Sequence, residues 1–383
     1  MQRQTPDRPL LFCILIAAVF LTMISIDRIA PAVLERDAYF YHPWEYMMGA
    51  FRYNIPRRSQ TMEMEGYGDL ANMLGVPDER VMRDFRWTND RYGKRNALST
   101  QHDDPAIVIV GDSFMASAAD SDEASFVTQF QKKILGPVTG YAPSDMSVFL
   151  QDQRLKVHPP DIVLWGRVER NTLGSNGEIE TLLKDTSCFS EVTRSERIEK
   201  ASKDFVKSMI GNFVEYAQLS ILRRTMQQSL KHAVFAVTGE HVRTVILIPG
   251  ESMLFHDRGT ALLSAPASAR GYDHVVDAVA HVRDCLAERG TKLIFMPIPD
   301  KEHIYAARLG KEISSPDPLD VLDAMLAEKN IARVSLIDRF LEESTPGKDL
   351  LYWPDDTHWN ARGIGVGVKE TMKVLDTGAA GLL

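Results

Sequence analysis

Short continuous apolar runs alternate along this chain with longer stretches of helical spacing. Ile107 to Val110, Asp161 to Gly166, Val242 to Pro249, Lys292 to Ile298 and Arg333 to Ile337 read as five strands. Between the first two, Ser125 to Leu135 places Phe126, Phe130 and Ile134 on one helical face, and a further helix is predicted from Ser144 to Leu155. A strand with one wet face alternates apolar and polar residues, whereas unbroken Val/Ile/Leu runs belong to strands covered on both faces. The pattern predicts an α/β fold: a three-layer arrangement with a parallel sheet between two helical layers, and ligands beyond the carboxyl ends of the strands.

Two regions depart from this rhythm. Leu10 to Ile26 is apolar apart from Thr22 and Ser25, follows Arg3 and Arg8, and is long enough to serve as a membrane anchor (residues 1–26). The flanking arginines keep its start in the cytoplasm and send the rest across the membrane. A cleaved signal peptide ending near Ala30-Pro31-Ala32 is the alternative. Residues 27–104 form an N-terminal segment without a strong period, in which Phe85 to Asn96 reads as a loop or edge strand leading into the core. The main domain spans 105–383 and carries an insertion at about 172–240. Ile198, Phe205, Met209, Phe213 and Tyr216 share one face there, as in an amphipathic helical layer on the sheet, a cap or a docking surface.

Composition narrows the partners. A net charge of −8 with no long basic run gives no field for phosphate backbones, so nucleic-acid binding is not expected. Three cysteines are too few for a disulfide scaffold. Cys13 lies in the apolar segment, while Cys188 and Cys285 either pair in an oxidising compartment or leave Cys285 a buried thiol. No ligand spacing suggests a metal site, and no cofactor is expected.

The chemistry is concentrated in two places. Gly111-Asp112-Ser113-Phe114 ends the first strand in a turn that projects a serine, and Asp355-Asp356-Thr357-His358-Trp359-Asn360 sets a histidine and two acids just before the last predicted helix. Serine needs a base to take its proton and an acid to orient that base, and all three types are present. Each block alone also fits a blander role, a tight turn in one case and a helix cap at Asn360 in the other. After the fourth strand come Lys301, His303 and Tyr305. Lys301 and Tyr305 are candidate wall residues of a binding site, and His303 is expected at the surface. Trp359 either stacks on a sugar or packs under the helix.

The two blocks together resemble the SGNH (GDSL-type) hydrolase and acyltransferase superfamily. More narrowly, Asp356-Thr357-His358-Trp359 with Ile298-Pro299-Asp300-Lys301-Glu302-His303-Ile304-Tyr305 is similar to the alginate O-acetyltransferase (AlgJ/AlgX-like) branch. The resemblance implies Ser113 as nucleophile, His358 as base and Asp356 as orienting acid, with Asp355 the competitor through the Asp-x-x-His spacing of ordinary SGNH hydrolases. It implies a periplasmic enzyme at the inner membrane that transfers acetyl groups to a polysaccharide, aided by a membrane-bound acetyl donor. An acetylesterase and a non-catalytic carbohydrate-binding scaffold are the alternatives. The usual oxyanion blocks are incomplete. Val138 to Ser144 and Gly166 to Asn171 stand in their places, leaving the Ser113 backbone N–H, Asn171 or a nearby arginine as donors. The order of blocks is the plain SGNH one, whereas in the acetyltransferase branch the Asp/His block usually precedes the serine.

Overall fold

The computed structural model describes residues 43–48, 56–74, 76–152, 157–173, 177–184, 253–256, 271–345 and 347–378, with isolated positions elsewhere. Two sheets form. The first is an antiparallel ribbon of β1 (Gln60–Gly66) and β2 (Arg83–Asn89), in register from Gln60 opposite Asn89 to Gly66 opposite Arg83. The second contains β3 (Ile107–Gly111), β4 (Val138–Gly140), β5 (Ile162–Val168) and β6 (Lys292–Ile298), parallel in the order β4-β3-β5-β6. All of β3 and β5, and β6 apart from Lys292, is buried. That explains the unbroken apolar runs: neither side of the sheet is left to water.

Helices fill the crossovers. Ser125 caps the helix Phe126–Gln131 by accepting from the Thr128 N–H at 3.3 Å. Asp317, with Pro318 in the first turn, caps Pro318–Glu328. Tyr272–Ala287 packs against β6 and Pro318–Glu328, and the C-terminal helix Ala361–Gly378 packs against Phe126–Gln131. Asn360 starts that last helix, its Oδ1 accepting from Arg362 and Gly363. Trp359, Phe126, Phe340 and Tyr352 form an aromatic cluster beneath it, each burial stabilising by about 1.5–3 kcal/mol.

Several expectations change. Arg333 to Ile337 is not a fifth strand: Arg333 makes one parallel bridge with Phe295, and from Ile337 the chain is helical. The second predicted helix is shorter, Met146–Leu150. β4, only three residues long, carries too few positions to show a period. Phe85 to Asn96 contributes a strand, but to the separate ribbon rather than to the edge of the main sheet. The predicted strand at 242–249 and the helical face at 198–216 lie outside the described residues. In the apolar N-terminal run only Ala18, Val19, Leu21, Thr22 and Ser25 are described, all helical and exposed. Among the described residues no helix is long and apolar enough to cross a membrane. Cys285 is buried and disulfide-bonded, so the free-thiol alternative falls; Cys13 and Cys188 lie outside the described residues.

Candidate active site

β3 stops where it comes closest to β5. A Cβ on Gly166 would lie 2.2 Å from Met115 Sδ, and one on Gly111 would lie 2.1 Å from the Gly166 carbonyl oxygen, so only glycines allow this approach. Beyond Gly111 the chain turns, and Asp112 fixes the turn from both sides. Its Oδ1 accepts from Phe114 N–H at 3.0 Å, and its Oδ2 accepts from Val168 N–H at 3.0 Å and Asn171 Nδ2 at 3.2 Å. Ser113 is thereby held, half-buried, at the carboxyl edge of the sheet.

The second block arrives as an irregular loop. Asp356 lies two residues before His358, close enough for Oδ1 to accept from both the His358 backbone N–H, at 2.9 Å, and the ring Nδ1, at 2.6 Å. The other ring nitrogen, Nε2, is 2.7 Å from Ser113 Oγ. Ser113, His358 and Asp356 thus form one unbroken hydrogen-bonded chain. The Phe114 ring packs 4.7 Å from the imidazole and holds its plane.

Asp355 is placed elsewhere. Its carboxylate accepts from Gly68 N–H at 2.6 Å, Val81 N–H at 2.9 Å and Arg83 Nη1 at 2.9 Å. The same guanidinium donates to Asp356 Oδ2 at 3.2 Å, where the Asp69 N–H also lands at 3.1 Å. Asp69 in turn accepts from the Thr357 N–H and hydroxyl, both at 2.7 Å. The N-terminal segment, read from sequence as a region without pattern, therefore clamps the histidine loop from outside. Arg83 and Asp69 were missed because nothing local marks them; their partners lie more than 270 residues away.

Lys301 and Tyr305, read as wall residues, are buried supports, and Trp359 packs in the core beneath the last helix. The Lys301 ammonium donates to the carbonyls of Trp353, Pro354 and Asp356 at 2.7, 2.9 and 3.0 Å, a full set of three acceptors. Burial pushes its pKa down to about 8. The Tyr305 hydroxyl accepts from Leu351 N–H, and Trp359 donates its indole N–H to the Phe114 carbonyl while stacking on Phe126. Each of these buried polar groups has a partner inside the core. His303, expected at the surface, is buried between Glu169, 2.8 Å from Nδ1, and Asp317, 2.9 Å from Nε2. Its partners come from other elements, so the local sequence could not reveal them.

Beside the histidine loop, Trp353 does reach solvent. It is half-buried, its indole N–H is 3.2 Å from Asp120 Oδ2, and Arg83 lies 4.3 Å over the ring. Burial raises Asp120 to about 6. For His358, burial favours the neutral ring, but the Asp356 carboxylate outweighs it and Asp69 adds to the effect, so the imidazole titrates above its ordinary value. Arg170 acts in the opposite direction. Asp69, Asp356 and His358 have donor atoms within 4.8 Å of one another, as a metal site would require. Those atoms are already taken by Thr357, Arg83 and the imidazole contact, which fits a proton-relay role better than a cation site.

Chemically, such a chain can remove a proton from Ser113 and return it to a leaving group. Residues 253–382 match the family model of the SGNH hydrolase-like domain of acetyltransferase AlgX. The match covers β6 and the whole histidine loop, and it supports the SGNH, AlgX-like branch and, broadly, acetyltransferase or esterase chemistry. It does not reach Ser113, whose place at the site rests on the geometry above. No curated protein matches the chain.

Proposed function

We propose that the chain is an O-acetyltransferase that moves an acetyl group onto an exported polysaccharide through an acetyl-Ser113 intermediate. The observation that carries this reading is the contact of His358 Nε2 with Ser113 Oγ at 2.7 Å, backed by Asp356 on Nδ1. In the first half-reaction His358 takes the Ser113 proton as Oγ attacks the acetyl carbonyl. The donor's C–O bond breaks, and the leaving oxygen takes the proton from His358. In the second half-reaction a sugar hydroxyl gives its proton to His358 and attacks the acetyl carbon, and Ser113 Oγ leaves with that proton. Asp356 stabilises the imidazolium in both halves.

The setting belongs to the same proposal. The apolar N-terminal run anchors the protein in the inner membrane, with the folded part in the periplasm and a membrane-bound partner delivering acetyl groups. A disulfide at Cys285 fits an oxidising compartment. Hydrolysis is the second reading, since Ser113 is only half-buried and water can reach the same acyl-enzyme. A purely binding role sits poorly with so complete a hydrogen-bonded chain.

The test is turnover of a chromogenic acetyl ester by the full-length protein beside Ser113→Ala. Wild-type turnover that vanishes in the variant supports the reading, and equal rates in both would sink it. Adding polysaccharide fragments and looking for the mass gain of one acetyl separates transfer from hydrolysis.

A further inference from the structure

Attack by Ser113 drives negative charge onto the carbonyl oxygen, and each donor aimed at that oxygen is commonly worth about 10²–10³ in kcat. The Ser113 N–H has no hydrogen-bond partner among the described residues, so one donor stands ready. Asn171, the side-chain donor expected after β5, gives its amide to Asp112 instead.

The residue beside it is held differently. Arg170 bonds Asp300 through both its backbone N–H and Nη1, which fixes the side chain at one end. Its Nε and Nη2 groups have no partner among the described residues, yet they are not sealed inside, the side chain being 15% exposed. The guanidinium carbon lies 5.2 Å over the ring of Phe114, the residue after the nucleophile, and that ring is 4.7 Å from His358. Its charge is felt at His358, where it opposes protonation, and at Asp112 and Asp69. Guanidinium N–H groups that reach solvent without a protein partner can exchange water for a substrate oxygen, and a charged donor makes the stronger hydrogen bond to a developing oxyanion. Being protonated at every working pH, Arg170 also never competes for the reaction's proton.

We propose that Arg170 is the second oxyanion donor, one of its guanidinium N–H groups joining the Ser113 N–H on the carbonyl oxygen of the acetyl ester. This rests on Ser113 being the nucleophile. As the Oγ–C bond forms, the Oγ proton passes to His358 Nε2 and the carbonyl π pair moves onto the oxygen held by Arg170. When the pair returns, the bond to the leaving oxygen breaks and that oxygen takes the proton from His358.

The test uses full-length protein carrying Arg170→Gln, Arg170→Lys, and Arg170→Gln with Asp300→Asn. The double variant avoids stranding the Asp300 carboxylate without its cation, and an unfolding curve for each variant shows that the fold is kept. With an aryl acetate, kcat should fall about 10²–10³-fold in both glutamine variants with KM within about threefold, and less in the lysine variant. An aryl trifluoromethyl ketone, whose adduct with a serine carries the same oxyanion, should show its hemiketal signal by fluorine NMR in wild type. In the glutamine variants the ketone should bind more weakly by a similar factor. A kcat within threefold of wild type, or a loss confined to KM as for an anchor of an anionic substrate group, overturns the assignment of Arg170. An adduct equally strong in wild type and Arg170→Gln does the same while leaving Ser113 in place. If wild type forms no adduct, or Ser113→Ala forms it equally well, the nucleophile assignment fails and this proposal with it.

Discussion

His358 and His303 are both buried, and both have a carboxylate on Nδ1. They differ at the other nitrogen. His358 Nε2 meets the Ser113 hydroxyl, a group that can give it a proton, whereas His303 Nε2 meets a second carboxylate, Asp317. A ring between an acid and an alcohol can gain and lose a proton in turn. A ring between two acids is held as a cation, and despite burial Glu169 and Asp317 raise His303 to about 10. Only the first arrangement suits a base, so the partner of the second nitrogen is what distinguishes the histidine proposed as base from the one held as a cation.

The sharpest way to break this contrast is Asp356→Asn. An amide in that position favours the wrong tautomer and no longer stabilises an imidazolium, so kcat for the acetyl ester should drop by about 10⁴-fold with KM little changed. Steady-state kinetics on the purified variant, with circular dichroism to confirm folding, checks it. Asp355→Asn serves as the comparison, because Asp355 touches Arg83 and the Gly68 and Val81 N–H groups but not the imidazole. If both variants lose activity equally, Asp356 has no special role.

At His303 the damage should fall on stability instead. His303→Gln leaves Glu169 and Asp317 facing a neutral group inside the protein, and breaking such a buried pair costs about 3–5 kcal/mol. Chemical denaturation should report that loss, while kcat per folded molecule stays within about tenfold of wild type. A stable, inactive variant would place His303 in the reaction and erase the distinction.

The same pair predicts a pH signature. Because the folded value of His303 lies above its unfolded one, its contribution is complete below about pH 6.5 and is lost as pH rises through about 10. Lys301, lowered by burial to about 8, acts oppositely above that point, and Asp300, raised by burial to about 7, still titrates within the window, but both groups are shared with His303→Gln and drop out of the difference. Between about pH 7 and 8 the single proton on His303 should make stability fall by about 1.4 kcal/mol per pH unit relative to His303→Gln. Parallel unfolding free energies for the two proteins across that window would remove this account.

How much of this was legible in sequence follows from the range of each interaction. β3, β5 and β6 announced themselves because covering both faces of a strand leaves an unbroken apolar run, and the Gly-Asp-Ser turn follows directly from β3. The Asp-x-His pairing was readable too, since both residues sit in one turn and Asp356 reaches both the N–H and the ring of His358. What failed was everything supplied at a distance. Lys301 and Tyr305 look like wall residues after a strand until Trp353, Pro354, Asp356 and Leu351 are seen to occupy them. His303 looks exposed until Glu169 closes over it from the end of β5. Arg83 and Asp69 stand in a stretch with no period, because a two-stranded ribbon and a six-residue helix are too short to impose one.

Asp69 offers the finest test of the contrast, because it shapes His358 without touching its ring. It receives the Thr357 N–H and hydroxyl and gives its own N–H to Asp356, so its charge is felt at the imidazole and helps raise it. Asp69→Asn keeps the shape, and the Thr357 hydroxyl can turn to accept from the new amide, so the loop should hold its place. Removing the charge lowers the His358 pKa, which frees the neutral base at lower pH. The acid limb of the kcat/KM profile should therefore move downward, with the plateau rate changed by no more than about threefold, under 1 kcal/mol. Measured from pH 4 to 9, a limb that stays in place would mean Asp69 is felt only through the hydrogen bonds that seat the loop. A limb that moves up would mean that the histidine being titrated is not His358.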